Sequence, residues 1–228
     1  MRRLLPLFLI ALTACGASAR QAPAPRTTAT TTTSSTTPTT PTRMSSSTTR
    51  TTIAPPTTVV TIRYRVVRDT TDAATADFVD VVNATLRDAR GWSRARFAFV
   101  PDDTAPYRIV LAEGDEVDQL CLPYDTYGKY SCQNGPTVAL NADRWREATP
   151  KWTGDLATYR QMVVNHEVGH LLGMKHPHPQ CPHTGALAPI MNQQSTELDG
   201  CLPNPWPLPT EIAIAARHDR KLAPGPGE

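Results

Sequence analysis

The chain lacks a hydrophobic run long enough to cross a membrane as a permanent helix. Its most apolar stretch, residues 4–12, is well short of the about 20 residues that a membrane-spanning helix needs. The stretch follows Met1-Arg2-Arg3, and a basic start before a short apolar run is typical of a secretory signal. We therefore expect the chain to be exported.

Acidic residues are missing from the first quarter of the chain, and large apolar residues are scarce there. Residues 1–58 contain six arginines and no aspartate or glutamate. The Thr/Ser/Pro-rich segment 19–58 cannot bury enough surface to offset the entropy of ordering, which predicts a disordered tether whose glycosylation stays open. The whole chain has a formal charge of +2, so the remainder carries 2 − 6 = −4. This negative charge argues against nucleic acid as the partner.

The end of the apolar stretch resembles the bacterial lipoprotein signal. Residues 12–15 read Leu-Thr-Ala-Cys and are followed by Gly16. The resemblance implies that residues 1–18 form a signal segment and that Cys15 is lipidated. The mature protein would then be anchored to the outer face of the cell membrane or in the cell wall, with later shedding left open. An ordinary signal peptide that contains a cysteine is the alternative.

The four remaining cysteines lack the C-x2-C spacing of a tetracysteine zinc site, which is the competing interpretation. An even number of cysteines in an exported domain predicts two disulfides instead. Four cysteines allow three pairings. We favour Cys121 with Cys132 and Cys181 with Cys201, because each pair then closes a local loop.

Residues 59–222 are long and apolar enough for one domain, expected to be monomeric, before a flexible tail at 223–228. Alternating apolar residues predict strands at 58–69, 96–101, 107–113 and 137 to about 141. Three- and four-residue spacings predict helices at 71–89 (started by Asp69 or Thr70), 155–174 and 209–220. Residues 114–137 are expected to be loop-rich.

The predicted helix 155–174 carries a concentration of metal-binding side chains. It is apolar on both sides, which indicates a central helix with one face in the core and the other along a cleft. His166 and His170 stand one turn apart on the cleft side, close enough for both rings to bind one metal ion. Glu167 lies at the edge of that face, where its carboxylate can reach a water on the metal as a general base.

A third histidine follows a predicted turn. Gly173 comes three residues after His170, where a helix can end in the left-handed conformation that glycine adopts without strain. The turn lets His176 swing back as a third nitrogen ligand. Three histidines leave the fourth position of a zinc ion open, as in catalytic sites.

The full pattern, HEVGHLLGMKH at residues 166–176, resembles the metzincin clan of zinc metallopeptidases. The resemblance implies one catalytic zinc ion and an α+β, zincin-like fold with a twisted mixed sheet, a central active-site helix and a methionine turn. Met191, in Ala-Pro-Ile-Met-Asn-Gln-Gln, has a position suited to that turn. Some metzincins bind zinc through a tyrosine two residues later, but here that residue is Gln193, so no tyrosine ligand is assigned. No cysteine-switch peptide is visible, and latency stays open.

A narrower resemblance is to DUF3152, a family of exported actinobacterial proteins. It rests on VVNHEVGH, the cysteine after the third histidine, IMNQQS and GCLPNPWP, and covers about residues 59–209. The family label implies the zincin-like fold but no substrate. His178 and His183 are alternative ligands in the same crowded segment, although only His176 has the spacing of the clan.

Together these patterns predict an exported, membrane-anchored zinc endopeptidase that uses a zinc-bound water activated by Glu167. Its partners would be a peptide or protein substrate and, through the lipid only, the membrane. The strand near residues 137–145 would pair with an extended substrate. The alternatives are a catalytically silent zincin-fold binding module, a metal-capturing surface lipoprotein, and an amidase acting on wall peptides.

Overall fold

A computed structural model describes residues 58–217 of the chain. The predicted signal segment, Cys15, the tether up to residue 57 and the end of the chain from residue 218 lie outside the described residues. Within residues 58–217, no helix combines the length and the apolar character needed to cross a membrane.

Five strands form one mixed sheet in the order β2-β1-β3-β5-β4. The strands are β1 (Val60–Asp69), β2 (Phe97–Pro101), β3 (Tyr107–Ala112), β4 (Cys132–Asn134) and β5 (Thr137–Asn141). All neighbouring pairs are parallel except β4 and β5, which are antiparallel. The four strands expected from residue alternation are confirmed, with ends shifted by a few residues.

Five helices accompany the sheet: α1 (Phe78–Arg87), α2 (Gly114–Cys121), α3 (Ala142–Glu147), α4 (Leu156–Leu171) and α5 (Pro209–Ala215). The sheet separates two hydrophobic cores, because successive residues of a strand face opposite sides of the sheet. Ile109 and Leu111 of β3 join the main core with α1 and α4, whereas Val110 and Ala112 pack with α2 on the other face.

One prediction about local structure is incomplete and another is wrong. Residues 114–137 contain a long loop, as expected, but also α2 and β4. The helix expected at 71–89 is interrupted: Asp72 caps a short 3-10 turn at Ala73–Thr75, and α1 begins only at Phe78. Val117, Leu120 and Cys121 do have helical spacing in α2, but the helix has only eight residues, too few for the pattern to stand out in the sequence.

Helix α4 is buried around most of its circumference, as its two apolar sides predict. Its N-terminus is capped by Asp155, whose side chain accepts a hydrogen bond from the Thr158 amide at 2.7 Å. Its C-terminal end is closed by Gly173, which has φ +84° and so adopts the left-handed conformation expected at that position. The Met174 amide then donates to the Gly169 carbonyl at 2.9 Å, and the chain turns back along the helix.

Candidate metal centre and its cleft

Three histidines meet at the C-terminal half of α4. His166 and His170 project from the helix one turn apart, and the turn at Gly173 returns His176 to them. The Nε2 atoms of His170 and His176 are 3.1 Å apart, and those of His176 and His166 are 3.3 Å apart. Their ring nitrogens are thus close enough to hold one metal ion.

Two of the rings are fixed by hydrogen bonds from their other nitrogen. Nδ1 of His166 donates to the Ile190 carbonyl at 2.8 Å, and Nδ1 of His170 donates to the Met174 carbonyl at 2.9 Å. A carbonyl can only accept, so each neutral ring carries its hydrogen on Nδ1 and a lone pair on Nε2. His176 can donate to only one of these lone pairs. A metal ion would accept both, and the donor set therefore fits a cation.

The protein holds these imidazoles neutral, which is the form that binds metal. Burial, aided by the neighbouring rings, lowers the pKa of His166 to about 3 and that of His176 to about 4. Burial also lowers the pKa of His170. None of the three therefore needs to lose a proton before it binds a metal ion at neutral pH.

Glu167 lies beside the triad in the wall of the same cleft. Its side chain is nearly buried, with 6% of the residue exposed. Within residues 58–217, no protein group donates a hydrogen bond to its carboxylate, and burial raises the pKa of Glu167 to about 8. A buried carboxyl group that opens to a cleft and has no protein partner among these residues suits a general base once a nearby cation favours its ionised form.

Met191 lies under α4 between the two helical histidines. A Cβ atom added to Gly169 would collide with the Met191 Sδ atom and lie 2.9 Å from Cζ2 of Trp92. Trp92 in turn donates from Nε1 to the Asn165 carbonyl at 2.9 Å. Gly169 is therefore the residue that allows the methionine and the tryptophan to approach the helix backbone.

Replacing Gly169 by alanine is expected to destabilise the fold by about 1–3 kcal/mol, because the added methyl group overpacks this contact. Thermal unfolding of the zinc-free chain measures the loss. The double variant Gly169→Ala/Met191→Ala serves as the control, and its loss should be smaller than the sum of the two single losses. Strict additivity would contradict a direct contact between Gly169 and Met191.

A buried glutamate holds the segment that carries Met191. The Glu211 carboxylate accepts hydrogen bonds at 2.9 Å from the amides of Ile190, Met191 and Leu208. Burial raises the pKa of Glu211 even though these donors act in the opposite direction. The sequence analysis missed this residue, although a glutamate in the first turn of the predicted helix from residue 209 is a recognisable capping signal.

Replacing Glu211 by glutamine should destabilise the chain by about 1–3 kcal/mol, because the amide nitrogen cannot accept from the backbone donors that it would face. The Ile190 carbonyl, which orients His166, should also shift, so zinc affinity should fall by about 10- to 100-fold. Thermal unfolding and zinc titration measure both effects. Glu147→Gln, at an exposed position, is the matched control. Unchanged stability in the Glu211 variant would contradict the bracing role.

Two amide side chains connect the IMNQQS and GCLPNPWP stretches. Gln194 and Asn204, both buried, exchange two hydrogen bonds: Nε2 of Gln194 donates to the Asn204 carbonyl at 2.9 Å, and the Asn204 amide donates to Oε1 of Gln194 at 3.0 Å. The Asn204 side chain also donates to the Ala188 and Trp206 carbonyls. These bonds fasten irregular chain beneath the triad without a helix or strand.

The structure joins Cys121 to Cys132 and Cys181 to Cys201, the pairing that the sequence favoured. The first disulfide ties α2 to β4, and the second closes the segment that follows His176. Two disulfides are typical of proteins that fold outside the cytoplasm. His178 and His183 are exposed and lie outside the triad, whereas Gln193 lines the cleft near it.

The cleft has a volume of about 500 Å³ and runs along the exposed side of α4. Its lining includes Tyr159, Met162 and Val163 of the helix and Cys132 and Gln133 of β4. The expectation that the strand near 137–145 pairs with substrate is wrong, because β5 already lies between β3 and β4. Strand β4 forms the edge of the sheet on this side, an order that local sequence patterns do not encode.

Fold and site together define a mixed α/β domain with a three-histidine candidate metal centre. Residues 25–203 match the family described as "Protein of unknown function (DUF3152)". The match spans more than half of the chain, and the chain belongs to the DUF3152 family. No curated protein matches it.

Among solved structures, the chain is similar to one titled "Structure of myroilysin". The identity is 20%, the TM-score is 0.28, and the alignment covers 55% of this chain and 54% of the other. The chain thus spans about half the length of that structure. A likeness of this degree carries no argument about function, which rests on the site itself.

Proposed function

We propose that the chain is a zinc-dependent endopeptidase of the metzincin type. One observation carries the proposal: three imidazole rings converge beside a buried carboxylate that has no hydrogen-bond partner among residues 58–217. An all-imidazole donor set suits zinc, and three protein ligands leave a fourth position for water or substrate.

The spacing of the nitrogens supports zinc as the metal. Ligands about 2.0–2.1 Å from a tetrahedral zinc ion are about 3.4 Å apart. The two Nε2 separations in the structure, 3.1 and 3.3 Å, are close to this value. His166, His170 and His176 would therefore hold one zinc ion with little rearrangement.

Zinc bound there would supply Lewis-acid activation of a water and polarisation of a substrate carbonyl group. Glu167 would accept a proton from water in the cleft, hold it on its carboxylate, and release it to the departing amine. Burial raises the pKa of Glu167 in the metal-free chain, and the positive charge of a bound zinc ion would lower it again, so the carboxylate would be ionised when it accepts the proton. The carbonyls of Ile190 and Met174 would keep the two helical imidazoles oriented throughout.

Several positions support the metzincin assignment beyond the histidines. Gly173 makes the turn that this pattern needs, and Met191 packs under the ligand-bearing helix as a methionine turn would. Strand β4 borders the cleft and offers an edge for an extended peptide.

The cellular setting follows from the sequence and is part of the proposal. Residues 59–222 would form the peptidase domain, monomeric and free of nucleic acid. Cys15 would anchor it by lipid outside the cell, with residues 19–58 as tether. The two disulfides support an oxidising compartment for the domain.

Incubation of the full chain, oxidised and zinc-loaded, with a diverse peptide library tests the function. Mass spectrometry should detect internal cleavage products that disappear when zinc is chelated and return when it is restored. One tightly held zinc ion without any cleavage would instead favour a silent binding module. Weak, exchangeable metal binding would favour a metal-capturing lipoprotein.

A further inference from the structure

Arg144 brings a positive charge to the wall of the cleft. It lies on α3, directly after β5, where the Asn141 side chain accepts hydrogen bonds from the Asp143 and Arg144 amides and fixes the start of the helix. Arg144 lines the same cleft as Glu167 and the three histidines. Its backbone position is therefore set by a rigid element and not by a loop.

The hydrogen-bond donors of the Arg144 guanidinium are only partly satisfied by the protein. Nη1 donates to the Ala148 carbonyl at 2.8 Å, whereas Nε is buried and has no hydrogen-bond partner. Within the part of the chain that the structure describes, no carboxylate forms an ion pair with Arg144. A partly buried cation without an opposite charge is costly, so a fold that keeps one in a cleft leaves room for an anion.

A neighbouring arginine shows the contrast. Arg146, two residues further along α3, forms ion pairs with Asp72, Glu113 and Asp143. Those pairs fasten α3 to the rest of the domain. Arg144 has no such structural partner, although the cleft contains two other charged groups. Glu167 lies by the triad, and exposed Asp125 accepts a bond from the Tyr127 amide.

Helix α3, which carries Arg144, packs against the N-terminal half of α4, whereas the triad lies at the C-terminal half. Nε of Arg160 on α4 donates to the Trp145 carbonyl on α3 at 2.8 Å. Tyr159 of α4 lines the cleft together with Arg144. Tyr159 precedes His166 by seven residues, or about 10 Å along a helix axis at 1.5 Å per residue.

We propose that Arg144 recognises a carboxylate of the substrate, so that the cleft selects peptides with an acidic group near the cleaved bond. The inference rests on the proposed peptidase function. A guanidinium can bind a carboxylate through two parallel hydrogen bonds, which a lysine ammonium cannot do. The carboxylate can belong to an aspartate or glutamate side chain or to the C-terminus of the peptide.

The offset between Tyr159 and His166 along α4 indicates where this acidic group is expected in the substrate. An extended peptide advances about 3.3 Å per residue, so 10 Å corresponds to about three residues. A glutamate nearer to the cleaved bond could also reach Arg144, because its side chain spans part of this distance. We therefore expect the acidic group within about three residues of the cleaved bond.

The first experiment compares matched peptides cut by the full, zinc-loaded chain. One set carries Glu or Gln at each of the three positions on either side of the bond, and another carries a free or an amidated C-terminus. In one of the two sets, the acidic peptide should have a kcat/KM at least about tenfold higher than that of its uncharged counterpart. This preference should vanish in Arg144→Gln and be reduced in Arg144→Lys. Lys129→Gln, at an exposed cation outside the cleft lining, should keep it.

Binding distinguishes a failure of this inference from a failure of the proposed function. Fluorescence anisotropy with the same labelled peptides is measured in the Glu167→Gln chain, with and without Arg144→Gln, after zinc content and circular dichroism show that each variant is folded. One outcome is that the acidic peptides bind selectively and only when Arg144 is present, while the wild type cleaves none of them. That result supports carboxylate recognition and rejects the peptidase function. Cleavage without acidic preference, or equal or absent binding of both peptides, overturns the inference.

Discussion

Replacing Glu167 by glutamine is expected to lower kcat for peptide hydrolysis by about 100- to 10,000-fold, the usual contribution of general acid–base catalysis. Glutamine has nearly the same shape but cannot accept the proton. The triad does not depend on Glu167 for its orientation, because the Ile190 and Met174 carbonyls orient His166 and His170. Zinc stoichiometry should therefore stay at one ion per chain.

Steady-state kinetics on one cleaved peptide, together with metal analysis of the same samples, measures both quantities. Glu116→Gln, at an exposed position on α2, is the matched control and should behave as the wild type. A Glu167 variant that retains zinc and more than about a tenth of the wild-type kcat would contradict the assigned role. Joint loss of zinc and activity would instead make Glu167 part of the binding site.

Replacing His176 by alanine is expected to lower the affinity for zinc and the thermal stability of the zinc-bound chain. At free zinc about 1,000 times the dissociation constant, wild-type binding stabilises the fold by about 4 kcal/mol. That corresponds to a rise in Tm of about 8–16 °C for a domain of this size. Loss of a direct ligand should weaken zinc binding by at least about 100-fold, which is more than the loss of a group that only hydrogen-bonds to a ligand. At the same free zinc concentration, zinc would then stabilise the variant by only about 1.4 kcal/mol.

Differential scanning fluorimetry with and without zinc measures this change. His176 follows the helix and is partly exposed, so the metal-free Tm of the variant should match that of the metal-free wild type. His183→Ala is the matched control, because His183 is exposed and its Nδ1 faces the adjacent Thr184 carbonyl. An equal zinc-induced rise in Tm in the His176 and His183 variants would contradict the triad.

The helix and the histidines were predictable because the rules that place them are local. The four-residue spacing sets His166 and His170 on one face, and the glycine after the helix sets the turn that returns His176. The two cysteine pairs, 11 and 20 residues apart, also close short loops. Each of these features depends on residues close together in the sequence.

The rest of the site depends on contacts between distant residues. Glu211 binds amides about 20 residues away, and Gln194 pairs with Asn204 across irregular chain. Neither contact produces a periodic pattern. The edge position of β4 follows from the order of the whole sheet. The role proposed for Arg144 rests on its having no ion pair among residues 58–217.

X-ray absorption at the zinc edge, on the full zinc-loaded chain after gel filtration, tests the metal centre most directly. We predict one zinc ion per chain with three imidazole nitrogens and one further light atom at about 2.0–2.1 Å. The His176→Ala chain should show one imidazole fewer. Sulfur ligands at about 2.3 Å, or a chain that emerges without zinc, would contradict the three-histidine centre on which the proposed chemistry depends.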